Sequence, residues 1–581
     1  MTHIARSDAS VGPRPEPRGR ESVIPAWIVG HEATDRTRSR FVGPSSLLAS
    51  LALAACLWLG GRPSAAIAIA GAAALASGFV VGLAVVRRSL SGGTPVAGVA
   101  RAIVEEAIGS RLSILLVIMV VVTLPILPLL LDPSERLAYR LQFLITWSLS
   151  GASVLLAVIT VALACGSVCG DIESRRIHMT LSKPLQRWEY LFGKWLGVVV
   201  LDAMLVCLVG IGVYAAVQAL ARTPAADAAD RLAVQEQVLT ARIVARPSHP
   251  RADEFERSLA ALTDEIRQSD PSLFDRNPDR ARKRIVAQRV HEWHTVTADV
   301  VSSFLFTGLD KQAIRSPVVQ LRLEPFADNS SISRADVRFA LWLNERPFPI
   351  LNGEHAPYTF STGITHTIDL PTDAIAEDGT LRITIANHNL VMPGEQRPTS
   401  ISFTPGEGLE VMYRAGGFGI NFIRGLVVMW AKLALLAAVA LAAAAWLGFP
   451  TALLTGLMVY VTAAASGFFA DAIDIYTGLD RKDDTLVDML RLRLGMLVER
   501  IQKVEWWELF KTFGAYIADA FLAVVPSFAA YDSITQIATG RLVHLNELVG
   551  GVLLLAIAYP FALLVVGWLL LERRDLVSSE S

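Results

Sequence analysis

The sequence predicts an α-helical polytopic membrane protein with about eight transmembrane helices and a large extracytoplasmic α+β insertion. Hydrophobic residues make up 52% of its 581 residues and charged residues only 18%, against roughly a quarter charged in an average soluble domain. The mean hydropathy is +0.44. The apolar residues are concentrated in separate long runs, and one long polar section, residues 221–422, interrupts them. Long apolar runs of this kind are typical of lipid-spanning helices.

Eight apolar runs are the candidate spans. A hydrocarbon core about 30 Å thick requires roughly 20 helical residues, and most of the runs have that length. The first run is short unless it extends from Val42 to Gly61. The runs are Ser45–Leu59, Ala65–Val86, Ile114–Leu131, Phe143–Cys165, Trp195–Leu220, Leu426–Leu447, Thr451–Phe469 and Leu548–Leu571.

Lysine and arginine in the short connections predict the orientation, because cytoplasmic loops carry an excess of them. With the N-terminus inside, the outer short loops hold only Arg62, Arg136 and Arg140. We therefore expect both termini in the cytoplasm, in a bacterial-type inner (plasma) membrane. The cytoplasmic connections hold Arg87, Arg88, Arg101, Arg111, Arg175, Arg176, Lys183, Arg187, Lys194, Arg573 and Arg574.

Composition excludes several classes of protein. The net charge of -1 leaves no basic domain for nucleic acid. All four cysteines lie in or beside apolar runs, which excludes a secreted fold held by disulfides. His291 and His294 are spaced i,i+3, whereas the zinc protease motif HExxH needs i,i+4, so no metal site is predicted.

The sequence also predicts that the chain is not an enzyme. A phosphate-binding loop needs GxxxxGK[ST] after a strand. The pair Gly193-Lys194 is followed by Trp195 and lacks the first glycine of that motif. No Ser/His/Asp arrangement rises above chance, and no cofactor is expected on this chain.

The polar section has two parts. Residues 221–310 have apolar residues at helical spacing, interrupted by prolines, which predicts a helical segment. Residues 311–420 alternate at period two, which predicts a β-sandwich. In one strand, Leu381, Ile383 and Ile385 are expected to face the core. The strands loosely resemble galactose-binding-like jelly-roll modules, and a structural or partner-docking role stays as open as carbohydrate binding.

Two predicted cytoplasmic segments have sequence patterns beyond the positive charge that sets the membrane orientation. Residues 99–111 are predicted to form an amphipathic helix with Arg101, Glu105, Glu106 and Arg111 on its polar face, expected in the headgroup plane. The loop Asp171–Lys194 has a charged helix, a turn at Pro184 and an aromatic return. Apolar positions of that loop, among them Trp188, Tyr190 and Leu191, are read as exposed groups for a protein partner.

The sequence here resembles the permease subunit of the ABC type-2 exporter family. That family has a cytoplasmic segment E-x-x-x-G/H-T-L-S-x-P-x-x-R-x-x-x-L-x-G-K, which stands here as Glu173 through Lys194. It also ends in a small L-x-x-G outer element, a final span and an R-R-E/D-L tail, here Ile537, Gly540 and Arg573-Arg574-Asp575-Leu576. The likeness covers roughly residues 95–220 and 425–576. The hairpin at 45–86 and the insertion at 221–422 are departures from the simplest members.

The resemblance implies a partner ATPase subunit, which uses ATP and Mg, and a second permease chain in a homodimer or heterodimer. Residues 172–183 would dock on the ATPase subunit beside the helix 99–111. Asp202, inside a span, is a possible residue of the transport path. The predicted coupling residues are Arg101, Glu105, Arg111, Asp171, Glu173, Arg175, Arg176, Thr180, Leu181, Pro184, Arg187, Trp188, Gly193 and Lys194.

The predicted domains follow from these segments. An ion-coupled secondary transporter and a membrane-anchored extracytoplasmic binding or assembly protein remain as alternative functions. Residues 470–546 are expected outside with an amphipathic segment, and whether 515–528 re-enters the membrane stays open. The predicted domains are a disordered cytoplasmic tail (1–41), an extra hairpin (42–86), a first permease half (95–220, coupling loop 168–194), the helical segment (221–310), the sandwich (311–420) and a second permease half (424–576).

Overall fold

The structure is a computed structural model of the whole chain. It describes residues 44–109, 111–175, 186–248, 252–269, 278–297, 301–309, 318–328, 336–351, 354–391, 398–469 and 526–573, with a few isolated residues between these ranges. The predicted tail at 1–41, most of the external amphipathic segment at 470–546 and the possible re-entrant stretch lie largely outside the described residues.

The first helices form the N-terminal part of a membrane bundle. They are α1 (Pro44–Leu59), α2 (Pro63–Ser89), α3 (Pro95–Gly109), α4 (Arg111–Ile126), α5 (Leu137–Glu173) and α6 (Arg187–Ala221). Pro125 lies in the last turn of α4, and a 3-10 turn over Leu127–Leu130 follows it, because proline removes a backbone donor that a continuing α-helix needs.

The remaining helices surround and follow the polar section. They are α7 (Ala228–Ala233), α8 (Ala252–Ser269), α9 (Pro278–Trp293), α10 (Phe418–Trp446), α11 (Phe449–Ala464), α12 (Ser533–Ala538) and α13 (Leu545–Arg573), which includes a wider turn at Val552–Ala558. Helix α10 is the core helix of the bundle, with residues such as Ala434, Ala437 and Leu441 fully buried.

Five helices of the described chain are long and apolar enough to cross a membrane: Ala65–Ser89, Leu137–Glu173, Arg187–Ala221, Phe418–Trp446 and Leu545–Arg573. Two shorter apolar helices, Val117–Leu130 and Phe449–Ala464, fall below that length. The protein is therefore a multi-pass helical membrane protein, and the three further predicted spans correspond to helices shorter than a full crossing.

The polar section folds into open antiparallel sheets. The strands are β1 (Thr240–Ala245), β2 (Pro247–Ser248), β3 (Thr295–Val296), β4 (Val301–Phe306), β5 (Val318–Leu323), β6 (Pro325–Asp328), β7 (Asp336–Leu343), β8 (Arg346–Phe348), β9 (Ile350–Leu351), β10 (Glu354–His355), β11 (Tyr358–Ser361), β12 (His366–Pro371), β13 (Leu381–Asn387), β14 (Ser400–Phe403) and β15 (Leu409–Gly417). One sheet has the strand order β1-β15-β5-β12, a second has β11-β7-β13-β4-β2 with β8 on β7, and a third has β3-β14-β6; β9 and β10 form a short ribbon.

One apolar cluster takes residues from the three larger sheets, for example Leu321, Phe339 and Phe403. The alternation in β13 is confirmed, since Leu381, Ile383 and Ile385 are each 0% exposed. The sheets are open, however, and a closed sandwich or jelly roll is not what the strand order shows. The predicted helical segment at 221–310 also contains β1 and β4, because these strands pair with β15 and β13, which come much later in the chain.

A carboxylate from the polar section caps the long helix α5. Asp230 of α7 is 1% exposed and accepts hydrogen bonds from the backbone N–H groups of Leu137 (2.8 Å), Ala138 (3.0 Å) and Ala226 (3.0 Å). Burial raises the pKa of Asp230, but the donors of Ala138, Leu137 and Ala226 outweigh it, so the pKa lies below its ordinary value. Asp230 thus supplies the cap that the first turn of α5 lacks in its own sequence.

We expect Asp230→Asn to lower the free energy of unfolding by about 1–3 kcal/mol at neutral pH, because the amide brings N–H groups against backbone donors. A lowered folded-state pKa gives stability that is complete above about pH 4 and is lost as the pH falls through the folded pKa. The difference from the parent protein should therefore shrink below pH 4. Thermal unfolding in detergent at several pH values measures it.

Asp227→Asn is the matched control, because Asp227 caps α7 by accepting from Asp230 N and asparagine caps a helix about as well. Equal effects of the two substitutions, or a difference that does not shrink as the pH falls below 4, would contradict this role of Asp230.

Candidate coupling site

Two glycines bring the amphipathic helix α3 against α6. A Cβ at Gly193 would lie 2.8 Å from Val99 Cβ, and one at Gly197 would lie 2.7 Å from Ala100 O. Small residues four apart on one helix face allow this backbone approach. Ala100 and Ile103 are accordingly 0% exposed. The apolar face of α3 therefore packs on protein, in addition to any contact with the headgroup plane that its sequence predicts.

Lys194 is the electrostatic centre of this region. It is 4% exposed, and its Nζ lies 2.8 Å from Asp171 Oδ2 and 3.7 Å from Glu106 Oε2. The ammonium group also donates to Ser167 O at 3.2 Å. A buried ammonium needs such partners, because an unpaired one is very costly. Lys194 on α6 thus joins the end of α5 to α3.

Tyr190 and Arg187 extend these connections. The Tyr190 hydroxyl donates to Asp171 Oδ2 at 2.8 Å, and its ring lies 5.5 Å from Lys194 Nζ. Arg187 Nη1 donates to Leu571 O at 2.7 Å and Glu572 O at 3.2 Å. It therefore caps the carbonyl end of α13, where a cation is favoured. The start of α6 is tied to the last span as well as to α3 and α5.

The residues at the start of α6 explain why the helix begins there. Gln186 is the N-cap, its backbone N–H donates to Glu189 Oε2 at 2.9 Å, and the two residues form a capping box. At the other side of the loop, α5 ends at Glu173, and Arg175 adopts φ 55, the left-handed conformation that commonly ends a helix. Both ends of the predicted coupling loop are therefore set by helix caps.

The other predicted coupling residues divide into three groups. Arg101 and Glu105 form an exposed ion pair of 3.3 Å on α3, and Glu173, Arg175 and Trp188 are exposed. Arg111 begins α4. The structure does not describe Arg176, Thr180, Leu181 and Pro184.

Two sequence-based expectations need correction. Tyr190 and Leu191 are each 1% exposed, so they belong to the helix packing and are not exposed groups for a partner, whereas Trp188 is 47% exposed. Gly193 and Lys194 lie inside the same packing. Burial by α3 and α13, which lie far away in the sequence, explains the difference.

Glu106 was not among the predicted coupling residues. It lies beside Glu105 on a helix whose polar face points outward, and the sequence offers no sign that this carboxylate alone turns towards Lys194. The approach of Glu106 to Lys194 follows only from the packing of α3 against α6.

Asp202, the possible residue of a transport path, is 1% exposed in the middle of α6. It accepts a hydrogen bond from Thr160 Oγ1 at 2.9 Å, and Thr160 lies on α5. The structure places this carboxyl group between two helices of one chain. Its other oxygen has no hydrogen-bond partner in the described part of the chain.

The described residues contain no group of three or more His, Cys, Asp or Glu arranged to hold a metal ion. His291 Nε2 lies 3.0 Å from Asp328 Oδ2, and His294 Nδ1 lies 2.7 Å from Val290 O. The two histidines of the HEWH sequence thus have separate partners.

The fold defines a multi-pass helical membrane protein with a β-rich insertion. Residues 26–242 match the family model described as ABC-2 family transporter protein. This part of the chain, which contains α1–α6 and the buried Lys194, is therefore similar to members of that family. The comparison with curated proteins found no match. The comparison with solved structures found none either.

Proposed function

We propose that this chain is the permease subunit of an ATP-driven exporter, and that the Asp171–Lys194 segment with α3 couples it to a separate ATPase subunit. The observation that carries the proposal is the buried Lys194, which joins α3, the end of α5 and the start of α6 within the family-matched region. A docking segment needs a rigid attachment of this kind, because a flexibly attached segment would move without displacing the membrane helices.

The contacts supply a route for the force. A displacement of the loop acts on Asp171 at one end and on Arg187 at the other. Asp171 is bound to Lys194, and Arg187 to the carbonyl end of α13. Helices α3, α5, α6 and α13 would then move as one unit. The exposed Arg101, Glu173 and Trp188 are proposed to contact the ATPase subunit, where charges fix the register and apolar groups add affinity.

The remaining parts of the proposal follow from the sequence. The chain would cross the membrane eight times with both termini in the cytoplasm, pair with a second permease chain and leave ATP and Mg to the ATPase subunit. The β-rich insertion, whose three larger sheets share one apolar core, would lie outside the membrane. Asp202 would act within the transport path after a rearrangement of α5 and α6.

We expect Glu173→Lys to reduce ATP-driven transport and ATPase stimulation at least about tenfold, because a reversed charge at a register-fixing contact places like charges together. Reversal of Arg175 and Arg176 together should act in the same way. Purification in mild detergent with mass spectrometry identifies the ATPase subunit, and reconstituted vesicles give both rates.

Glu135→Lys is the matched control, because Glu135 is exposed just before the other end of α5. It should leave both rates unchanged. Full transport and stimulation by Glu173→Lys, with normal insertion of the protein, would overturn the proposed docking role.

A further inference from the structure

The outward face of the β1-β15-β5-β12 sheet is polar but buried. Residues Gln320, Arg242 and Glu410 are 5%, 8% and 0% exposed, and they alternate with residues of the apolar core such as Leu321 and Val411. A solvated sheet would leave such a polar face open to water. Here the segment that precedes the last span covers it, since Arg242 Nη2 donates to Thr539 O at 2.7 Å.

Glu410 is the central residue of the contact between this sheet and the segment before α13, which is here called the joint. Its carboxylate accepts a hydrogen bond from Arg541 Nη2 at 2.7 Å and lies 3.4 Å from Arg322 Nη1 and 3.6 Å from Arg246 Nε. Arg541 belongs to the segment before α13, whereas Arg322 and Arg246 belong to the insertion. One buried carboxylate thus holds cations from both parts of the chain together.

The backbone of residues 540–543, here called the strap, is held on two sides. On the insertion side, Arg242 N donates to Gly540 O and Leu542 N donates to Arg242 O, both at 2.8 Å. On the membrane side, Asn421 of α10 donates to Arg541 O at 2.7 Å and accepts from Val543 N at 2.8 Å. Helix α13 begins two residues after the strap, so the position of the strap sets where that span starts.

Gly540 fixes the turn into the strap. Its φ is +66, and a Cβ there would lie 2.1 Å from Gln237 O, so only glycine fits this left-handed conformation and close approach. The strap therefore has little freedom to shift relative to β1 while the joint is closed.

Several buried polar atoms of the joint also lack hydrogen-bond partners. Among the described residues, Thr240 Oγ1, Arg242 Nε, Glu410 Oε1 and Gln536 Oε1 are buried without a hydrogen-bond partner. Burial, followed by the nearby Arg322 and Arg541, lowers the pKa of Arg242 to about 10. Buried polar groups in this state gain partners when water enters. An interface of this kind opens at lower cost than an apolar one of equal size.

We propose that Glu410 is a positioning residue that, with Arg541, latches the β-rich insertion to the strap, so that movement of the insertion is transmitted to the start of α13. With the latch closed, the insertion, strap and span move together. With the latch open, the insertion moves separately. The proposal concerns the insertion and does not depend on an ATPase partner.

The test compares Glu410→Gln with the full-length parent in lipid nanodiscs by hydrogen exchange. The amide of Leu542, which is bonded to Arg242 of the insertion, should exchange about tenfold faster, since replacing one charge-assisted hydrogen bond by a neutral one has that order of effect. Core amides of β13 should keep their rates. A pair of spin labels at Thr367 on β12 and Leu545 on α13, both exposed, should show a broader distance distribution.

Glu292→Gln is the control, because Glu292 pairs with Arg289 at 3.0 Å in an exposed position of the same insertion. It should leave the exchange and the distances unchanged. Unchanged strap exchange in Glu410→Gln, or an equal increase throughout β13 and the strap, would overturn the proposal.

Discussion

Replacement of Lys194 by methionine is expected to lower the free energy of unfolding by about 3 kcal/mol, the lower part of the range for breaking a buried ion pair. The loss arises because Asp171 and Glu106 would keep their charges without the cation between them. Asp171 is 18% exposed and recovers some hydration, which keeps the loss from being larger. Thermal unfolding in detergent measures the effect, and reconstituted vesicles should lose ATPase stimulation.

The exposed pair on α3 provides the control. Arg101 and Glu105 lie 3.3 Å apart with about half of the arginine side chain exposed, so Arg101→Gln should cost no more than about 0.5 kcal/mol. If Lys194→Met and Arg101→Gln had equal effects on unfolding, Lys194 would not join the helices. Asp171→Asn added to Lys194→Met should restore part of the stability, since it removes the orphaned charge.

Gly197→Val should separate α3 from α6. The new Cβ would lie 2.7 Å from Ala100 O and 3.0 Å from Ala100 Cα, and backbone atoms cannot move aside as a flexible side chain does. Overpacking of this kind costs about 1–3 kcal/mol or more. We expect faster hydrogen exchange over residues 95–109 and loss of ATP-driven transport, because α3 would no longer be held beside the loop.

Gly98→Val is the matched control on α3 itself, because a Cβ at Gly98 meets no atom within 4 Å. It should leave exchange and transport unchanged. Normal exchange of α3 in Gly197→Val would show that the helix packing tolerates the side chain, and the close α3–α6 contact would then have no role in coupling.

Periodicity in the sequence was sufficient for most of the secondary structure. The long apolar runs at Phe143–Cys165 and Trp195–Leu220 lie within α5 and α6, and the alternating segment at Leu381–Asn387 is β13. β1 was missed because its pairing partner, β15, is far away in the chain. A local sequence pattern does not indicate whether a strand will pair with a segment far away in the chain.

The candidate site was predictable in position but less so in detail. Asp171, Arg187 and Lys194 were predicted to lie in one cytoplasmic segment, and the structure brings them to the neighbouring ends of α5 and α6. The sequence did not indicate that Lys194 is buried, because a lysine near the end of an apolar run is usually expected to reach the membrane surface. Lys194 lies where α3, which carries Glu106, packs against α6, and that packing joins segments far apart in the sequence.

The most direct test of the account is the side of the membrane on which Glu173 lies. Glu173→Cys, in a variant without the four native cysteines, is treated with a membrane-impermeant maleimide in intact cells and in inside-out vesicles. The account predicts labelling only in the vesicles, with the ATPase subunit protecting the thiol when it is bound. Labelling in intact cells would place the coupling segment outside, where no ATP-driven subunit can reach it, and would contradict the account.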